Sequence, residues 1–385
     1  MKHKNITVIV FLGILCLFFA AGVLLPEQKF SESENRYLAG KPEFTMKRLL
    51  DGSFGEAYET YLSDQFPLRN TFVAAKTNVE RLLLKEDVNG VYFGKKHYYI
   101  EKFEPEILMT EQLDRNLNFL SQAAGQFAKQ LGEDRVKIML VPSASQILTD
   151  KLPLFAAPAD QGMVTEKLKN SLIFPEQLLQ VEELLSSHRE EALYYKTDHH
   201  WTTRGAFLGF QLYCEAAGLK VLEESEFTKE TVTKDFYGTI ESKIKVSMVP
   251  DEITLYLPKM EQEYRVYYDG LPKEYDTLYN EKALEGKDKY ALFLDGNHGL
   301  TRIVNETAKE SGNLKDRKLL IIKDSYAHSF APFAAAEFPE VIMVDLRYFN
   351  MSLSEFISAQ GITDLLVLYQ IPGFAADKNI FKMVR

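Results

Sequence analysis

The chain has 385 residues, of which 46% are hydrophobic and 26% charged, a composition typical of a packed globular protein. Its net charge is −10 at pH 7, which argues against nucleic acid or an anionic membrane surface as a partner. The two cysteines, Cys16 and Cys214, lie in an apolar run and in a helical pattern. No intramolecular disulfide is therefore expected, and the core must hold the fold.

Residues 1–25 predict a membrane-spanning helix. Lys2 and Lys4 precede twenty uncharged residues, 6–25, and a helix of this length spans about 30 Å, the thickness of a bilayer core. The basic residues before the span place the amino terminus in the cytoplasm. The main domain is then expected outside the cell membrane, at a bacterial cell surface, behind a single-pass anchor.

The same residues leave two interpretations open, a cleaved signal peptide and an uncleaved signal anchor. The apolar run is longer than a signal-peptide core, and Phe19 stands beside the small-residue site at Ala20, so the anchor is favoured. Leu15 before Cys16 excludes a lipoprotein signal.

A stalk and a helical neck are predicted for residues 26–88. Residues 27–45 are polar with glycine and proline, and residues 46–86 repeat Leu, Phe and Tyr at helical spacing, with a break at Pro67.

Residues 89–385 predict an α/β domain with a mainly parallel central sheet flanked by helices. Its short apolar runs suit strands that are buried on both faces. Strands or strand pairs are predicted at 90–101, 136–142, 290–296, 318–325, 340–347 and 364–369, and "ALYYK" (192–196) predicts another. Helices are predicted at 111–131, 300–312, 327–337 and 352–360. Residues 220–288, rich in Tyr, Thr, Lys and Glu, predict an inserted set of β-hairpins.

The segment "YYKTDHHWTTRGAF" (194–207) joins an acid, two histidines and the only tryptophan of the chain. The tetrad Asp198, His199, His200 and Trp201 is predicted on the turn between a strand and a helix capped by Thr202. A catalytic histidine needs an acid to orient it, and Asp198 and His200, two residues apart, point the same way on an extended turn. The alternative is a surface turn whose polar residues cap the helix.

Ser325 follows another buried strand in "LLIIKDSYAHSFAPF" (319–333), at the start of a helix. This strand–turn–helix arrangement presents nucleophilic serines, and helix amino termini favour a developing anion. A simple N-cap is the alternative for Ser325, and His328 is expected on a helix face rather than as the base.

Two more strand ends carry candidate binding residues. Gly296 in "FLDGNHGL" (293–300) allows close backbone approach, and Asn297 offers an amide donor for an oxyanion. Turn formation is an equally good explanation for both. Arg347 and Tyr348 follow the strand 340–347 and are candidates for substrate contact.

These motifs carry a resemblance to a known family. "TDHHWT", followed far downstream by "KDSYAHS", with "SENRYLAGKPEF" and "FPLRNTF" near the start, resembles the DHHW protein family. That family is similar to the AlgX/AlgJ-type group of SGNH-hydrolase-like proteins, which O-acetylate exopolysaccharides beside a membrane-embedded acyl-transferring partner. The group's Asp and His fall on Asp198 and His200, and its serine falls on Ser325. Lys323 stands where the hydrolase motif usually has Gly.

The resemblance implies an SGNH-like fold and a serine O-acetyltransferase or esterase acting on a surface polysaccharide. Its triad would be Ser325, His200 and Asp198, with His199 and Trp201 lining or supporting the pocket and no cofactor. Two alternatives remain. One is a non-catalytic glycan-binding or assembly protein, and the other is a metal hydrolase, disfavoured because adjacent histidines on a turn diverge.

Overall fold

The computed structural model describes residues 2–31, 36–246 and 248–385. Its α-helices are α1 (Lys2–Leu24), α2 (Met46–Leu50), α3 (Ser53–Asp64), α4 (Arg69–Leu82), α5 (Glu111–Leu131), α6 (Ala144–Ile147), α7 (Gly162–Ser171), α8 (Val181–Ser187), α9 (Thr203–Ala216), α10 (Thr239–Ile244), α11 (Glu306–Ser311), α12 (Ala327–Glu337), α13 (Leu353–Gln360) and α14 (Ile371–Ala376). Its strands are β1 (Phe30–Ser31), β2 (Arg36–Tyr37), β3 (Asp87–Val88), β4 (Val91–Phe93), β5 (Tyr99–Glu101), β6 (Val136–Val141), β7 (Phe227–Phe236), β8 (Asp251–Pro258), β9 (Tyr264–Tyr268), β10 (Leu300–Asn305), β11 (Lys318–Lys323), β12 (Glu340–Val344) and β13 (Asp364–Gln370).

The central sheet has the order β6-β13-β11-β12-β10-β9. The first four of these strands run parallel, and β10 and β9 complete the sheet antiparallel. The predicted α/β class with a mainly parallel sheet and flanking helices is confirmed. Parallel strands bring their carboxyl ends to one edge of a sheet, where α/β folds bind ligands. The segments that follow β6, β11, β12 and β13 therefore meet at this edge.

Each parallel strand is buried on both faces, which explains its uninterrupted apolar sequence. In β11, Leu319 and Ile321 pack into one core cluster, and Leu320 and Ile322 pack into the other. The alternation follows the two-residue period of a strand. Helices α9 and α12 supply the first cluster, and α5, α13 and α14 supply the second. Full burial of each Leu or Ile side chain contributes about 1.5–3 kcal/mol.

The strand predicted at 290–296 is wrong. Residues Lys289–Leu292 form a short 3₁₀ helix, and the next residues include Leu294, Asp295 and Gly296 with φ of 56°, 57° and 81°. Such left-handed backbone is incompatible with a strand. The helix predicted at 300–312 is half wrong, because the β-branched residues of "LTRIVN" form β10 and only Glu306–Ser311 is helical.

The strand predicted for "ALYYK" is also wrong. Instead of joining a sheet, this segment folds back on the residues that follow it. Thr202 N donates to Leu193 O at 2.8 Å, and Tyr195 N donates to His200 O at 3.3 Å. The Asp-His-His-Trp segment is consequently the tip of a closed loop.

The predicted hairpin insert at 220–288 holds one long antiparallel pair, β7 with β8. Its next strand, β9, instead pairs with β10 at the edge of the central sheet. The predicted hairpin at 90–101 is present as the antiparallel pair of β4 and β5.

The chain divides into two compact units. One holds residues 1–88 with 241–247, and the other holds residues 89–240 with 248–385. Within the first, the predicted helical neck is formed by α2, α3 and α4. Part of the "SENRYLAGKPEF" motif, residues 33–35, lies outside the described residues. Helix α1 contains a stretch, Ile6–Leu24, that is long and apolar enough to cross a membrane.

Candidate active site

Asp198 and His200 form a compact turn at the tip of the closed loop. The carboxylate oxygen Oδ1 of Asp198 accepts from the His200 backbone N–H at 3.0 Å and lies 2.6 Å from His200 Nδ1. The other oxygen, Oδ2, accepts from Thr239 N at 2.8 Å and from Thr239 Oγ1 at 3.2 Å. The buried carboxylate is thus fully bonded, and its aim at the imidazole is fixed from two sides.

A glycine permits this arrangement. A Cβ atom on Gly238 would lie 2.2 Å from both Cβ and Oδ2 of Asp198. Two carbon or oxygen atoms that are not bonded to each other cannot approach so closely, so only glycine fits beside the carboxylate.

Ser325 sits on the turn between β11 and α12, at the carboxyl edge of the sheet. Its turn is braced by Asp324, whose carboxylate accepts from Tyr326 N at 2.9 Å and from Gln370 N at 2.8 Å. His200 Nε2 lies 2.7 Å from Ser325 Oγ. The structure therefore brings Asp198, His200 and Ser325 into one hydrogen-bonded row, across 125 positions of sequence.

Electrostatics set the protonation of this row. Burial lowers the pKa of His200 to about 4, the neighbouring His199 adds to this, and Asp198 opposes it. Burial by itself would raise the pKa of Asp198, but the two imidazoles and the bound N–H and O–H groups hold it far below its usual value. At neutral pH the row holds a carboxylate and a neutral imidazole. With Nδ1–H donated to Asp198, Nε2 is left to accept the serine proton.

Aromatic rings enclose the imidazole. Tyr290 stacks on His200 with ring centroids 3.8 Å apart and planes 8° apart. Its hydroxyl donates to Ser325 O at 3.3 Å and lies 3.0 Å from Ser329 Oγ. Trp201 is fully buried, and its Nε1–H donates to Tyr326 O at 2.9 Å. Helix α9 leaves room for the indole, since a Cβ on Gly209 would lie 3.0 Å from it.

Lys323 forms a second buried polar cluster next to Ser325. Its Nζ donates to His328 Nε2 at 2.7 Å and lies 3.6 Å from Asp345 Oδ2. Burial lowers the pKa of Lys323 to about 8 and drives the pKa of His328 well below its usual value, so His328 is the neutral acceptor. The Asp345 carboxylate also accepts two hydrogen bonds from the Arg347 guanidinium, at 2.9 and 2.5 Å. His328 thus lies on the buried face of α12 and accepts a hydrogen bond from Lys323.

A cavity of about 430 Å³ opens beside Ser325. It is lined by His199, Asp324, Ser325, Tyr326, Arg347, Tyr369, Gln370, Gly373, Ala376, Asp377, Lys378 and Asn379. His199 and Arg347 are thus the predicted binding residues that reach it. Asn379 lies in this lining but uses its amide on Asp377 Oδ1 at 2.9 Å.

The remaining predicted binding residues lie elsewhere. Trp201, Gly296, Asn297 and Tyr348 are absent from this lining within the described chain. Trp201 supports the site from beneath through Tyr326. Asn297 turns its carbonyl to Arg347 Nη2 at 3.1 Å, so it touches a lining residue without lining the cavity. Gly296 lies in a turn in which residues 294–296 have positive φ, and an oxyanion role for Gly296 or Asn297 stays a prediction.

Several site residues were missed by sequence reasoning. Gln370 and Gly373 follow β13, and the rule that sites form at the carboxyl ends of parallel strands would have found them. Tyr290 and Thr239 carried no comparable signal, because the first was assigned to a strand and the second to a hairpin insert.

A metal site was one of the alternatives. Ligand atoms of Asp198, His199 and His200 lie within 4.8 Å of one another. However, both ring nitrogens of His200 face protein partners, Asp198 and Ser325, and His199 Nδ1 lies 2.7 Å from Thr239 Oγ1. A metal ion would have to displace these hydrogen bonds, so the donor set fits an ion poorly.

Comparison with known proteins bears on the resemblance to the DHHW family and on the fold. The model of the DHHW protein family matches residues 169–344, which include the loop of Asp198 and His200 and the turn of Ser325. The predicted resemblance to this family is confirmed over that range. No curated protein matches the chain.

Solved structures extend the likeness beyond that range. A crystal structure of a DHHW family protein from Eubacterium siraeum has 24% identity and a TM-score of 0.65, covering 77% of this chain and 96% of that one. A structure of Bacillus cereus PatB1 has 19% identity and a TM-score of 0.59, covering 75% and 97%. A second PatB1 structure, with a sulfonyl adduct, has 19% identity and a TM-score of 0.57, covering 75% and 98%. At these identities the likeness shows a shared fold.

Proposed function

We propose that this protein is a cell-surface serine O-acyltransferase, with acetyl as the acyl group, or the corresponding esterase, acting on an exopolysaccharide or cell-wall glycan. The observation that carries the proposal is the 2.7 Å distance between Ser325 Oγ and His200 Nε2, in line with the 2.6 Å contact from His200 Nδ1 to Asp198. A serine, a neutral imidazole and an orienting carboxylate in this order are the parts of a nucleophilic triad.

The chemistry follows from the protonation of the row. Ser325 Oγ attacks the acyl carbonyl while its proton passes to His200 Nε2, and Asp198 stabilises the imidazolium that forms. The imidazolium then gives the proton to the leaving oxygen, which completes the acyl-enzyme. In the second half, His200 takes a proton from a sugar hydroxyl or from water, whose oxygen attacks the acyl carbon. The bond from the acyl carbon to Ser325 Oγ then breaks, and the imidazolium returns the proton to Oγ.

Charge that develops on the acyl oxygen needs a donor. The Ser325 backbone N–H, on the turn before α12, is the proposed donor, and the Arg347 guanidinium lines the same cavity. Arg347 is held in place by Asp345, so a cation is already positioned near the reacting atoms.

Two comparisons support this assignment. The DHHW family resembles the group of polysaccharide O-acetyltransferases in which the motif residues form a triad. A sulfonyl adduct, as the similar PatB1 structure carries, is what a nucleophilic side chain forms with a sulfonyl electrophile. By the same resemblance, a membrane-embedded partner would supply the acyl group, and α1 would anchor the enzyme beside it at the outer face of the membrane.

The non-catalytic alternative, a glycan-binding or assembly protein, is less well supported. A protein that only binds glycans has no need for a serine hydroxyl 2.7 Å from a neutral imidazole. The two functions separate in one experiment, since binding alone survives loss of the serine.

The deciding experiment is hydrolysis of p-nitrophenyl acetate by the full-length protein in detergent, with and without oligosaccharide acceptors. Ser325→Ala should reduce kcat/KM by about 10³-fold or more, because the nucleophile is removed. Mass spectrometry of the oligosaccharides separates transfer from hydrolysis, since only transfer adds an acetyl group.

Ser187→Ala is the matched control, because among the described residues the Ser187 hydroxyl bonds only to Leu184 O and to His188 Nδ1. Its activity should equal that of the wild type. Ester cleavage that survives Ser325→Ala in a folded protein contradicts the triad. Cleavage that a chelator abolishes would instead favour a metal hydrolase.

A further inference from the structure

The neck exposes large hydrophobic side chains much more densely along the chain than the α/β unit does. Among the described residues from Phe44 to Leu84, thirteen large hydrophobic side chains are exposed, against nine in the much longer stretch from residue 89 to the end. Isolated exposed hydrophobic residues are ordinary, but so dense a set marks an interaction surface. The question is which partner covers it.

Part of this set contacts helix α1 directly. The rings of Phe66 and Phe72 each lie 5.5 Å from the ring of Phe18, and they lie 5.6 Å from each other. Phe18 belongs to the apolar stretch Ile6–Leu24. The turn between α3 and α4 therefore packs against the side of the predicted membrane span.

The position of Phe18 gives the depth of this contact. Phe18 lies six positions before Leu24, the last residue of α1, and a helix rises about 1.5 Å per residue. Phe66 and Phe72 thus reach a level about 9 Å inside the end of the span. Amphipathic segments that lie in a membrane surface bury their apolar side by about 5–10 Å, which is the same depth.

Polar contacts hold the turn at this level. The Gln65 side chain accepts from Gln28 N and donates to Gln28 O, both at 2.9 Å, and Tyr61 donates to Glu27 at 2.8 Å. Glu27 and Gln28 come just after α1 in the chain. These hydrogen bonds therefore lie at the level where the span ends. Phe66 and Phe72 lie further along α1, towards the middle of the span.

We propose that residues 66–72 insert into the outer leaflet of the membrane, with Phe66, Leu68 and Phe72 in contact with lipid acyl chains. These three side chains are 43%, 67% and 47% exposed, although Phe66 and Phe72 also touch Phe18. The proposal rests on α1 spanning the bilayer, as in the proposed function. It needs no anionic lipid, because apolar burial drives it and the chain itself is acidic.

Depth-dependent fluorescence quenching tests the proposal in the full-length protein, reconstituted in phosphatidylcholine vesicles. A Cys16→Ala background removes the exposed thiol, while Cys214 is buried. A fluorophore on Leu68→Cys should be quenched several-fold more by lipids with a nitroxide near the headgroup than by aqueous iodide. Adding anionic lipid should leave this ratio unchanged.

Two further labelled variants make every result decisive. Leu154→Cys, on a residue 81% exposed in the α/β unit, should respond to iodide, and Leu17→Cys, within the span, should respond to lipid quenchers. If the Leu68 label behaves like the Leu154 label while Leu17 remains in lipid, insertion is wrong and the anchor stands. If Leu17 is also aqueous, both are wrong.

Shielding of the Leu68 label from both quenchers would also overturn insertion and would indicate a protein partner, such as a second copy, on this turn. Hydrolysis of p-nitrophenyl acetate by the same samples reports on the triad separately. A failure of membrane insertion is therefore distinguishable from a failure of the proposed activity.

Discussion

The imidazole of His200 lies flat on the ring of Tyr290, with centroids 3.8 Å apart and planes only 8° apart. The same tyrosine donates its hydroxyl to the backbone oxygen of Ser325. One buried side chain thus contacts both the proposed base and the segment that carries the proposed nucleophile. Tyr290 is therefore a positioning residue for the proposed reaction, although it does not touch the reacting atoms.

Two substitutions of Tyr290 distinguish the role of its stacked ring from the role of its hydroxyl. Tyr290→Phe keeps the stacked ring and should lower kcat of ester hydrolysis only a few-fold. Tyr290→Leu loses the stack, worth about 0.5–1.5 kcal/mol, and admits water, so kcat should fall about tenfold or more. Because burial is the main cause of the low pKa of His200, the Leu variant should also shift the acid limb of the pH profile upward. A merely structural residue would lower thermal stability without moving that limb.

The pH dependence of the wild type has a defined sign. His200 must be neutral to accept the serine proton, and its pKa is lowered to about 4. The kcat/KM of ester hydrolysis should therefore be level from about pH 5 to neutrality and fall as the pH drops through about 4. Asp198 stays ionised below this range, because its own pKa is lower still.

One other group facing the site titrates close by. Burial raises the pKa of Asp324, which lines the cavity beside Ser325, to about 6. An acid limb near pH 6 would contradict the assignment to His200 unless Asp324→Asn abolished it. A limb near pH 4 that persists in Asp324→Asn would agree with the assignment.

Gly238 offers a test of the carboxylate that does not alter the triad itself. A methyl group at Gly238 would overlap Asp198, so Gly238→Ala should displace the carboxylate and reduce kcat by about 10²-fold or more. Gly286→Ala is the matched control, because the nearest atom to its Cβ is 3.6 Å away and its φ is not positive. Full activity in a folded Gly238→Ala protein would show that Asp198 need not be held in this position.

The sequence predicted the parts of the fold whose pattern is set by burial. The apolar residues recur with a clear helical or strand period in α5, α12, α13 and the four parallel strands. Their predicted positions agree closely with the structure. The pairing of Asp198 with His200 also follows locally, from their spacing of two residues.

What the sequence did not predict depends on contacts between distant segments. Nothing near Tyr290 indicates that it stacks on His200, ninety positions earlier. Likewise, "YALFLDG" has the composition of a buried strand, but its last residues adopt left-handed backbone, which propensity does not reveal. Asn297 therefore follows a turn rather than a strand, and it contacts Arg347, which lines the cavity, without lining the cavity itself.

The last prediction concerns Lys323 and the free energy of unfolding rather than activity. It is almost fully buried, and its pKa is lowered from 10.5 to about 8, chiefly by burial. The unfolded chain therefore binds this proton more tightly than the folded protein does. Above about pH 10.5 the lysine is neutral in both states, and its burial does not reduce the free energy of unfolding. As the pH falls from 10.5 to about 8, the unfolded chain takes up the proton first, so the free energy of unfolding decreases. Below that, the folded protein carries a penalty of about 3 kcal/mol.

Lys323→Met removes this penalty while filling the same space. Asp345 keeps both of its hydrogen bonds from Arg347, so the substitution leaves no buried carboxylate unpaired. Methionine cannot replace the hydrogen bond from Lys323 Nζ to His328 Nε2, and the unpaired buried ring nitrogen costs about 1–3 kcal/mol. Because this cost offsets the gain, we expect the two proteins to have similar free energies of unfolding at pH 7, measured by chemical unfolding. The difference between the two should then shift in favour of the wild type between pH 8 and pH 10.5, because the lysine loses its charge there. A difference that is constant across this window would mean that the Lys323 ammonium is not disfavoured by burial beneath Ser325.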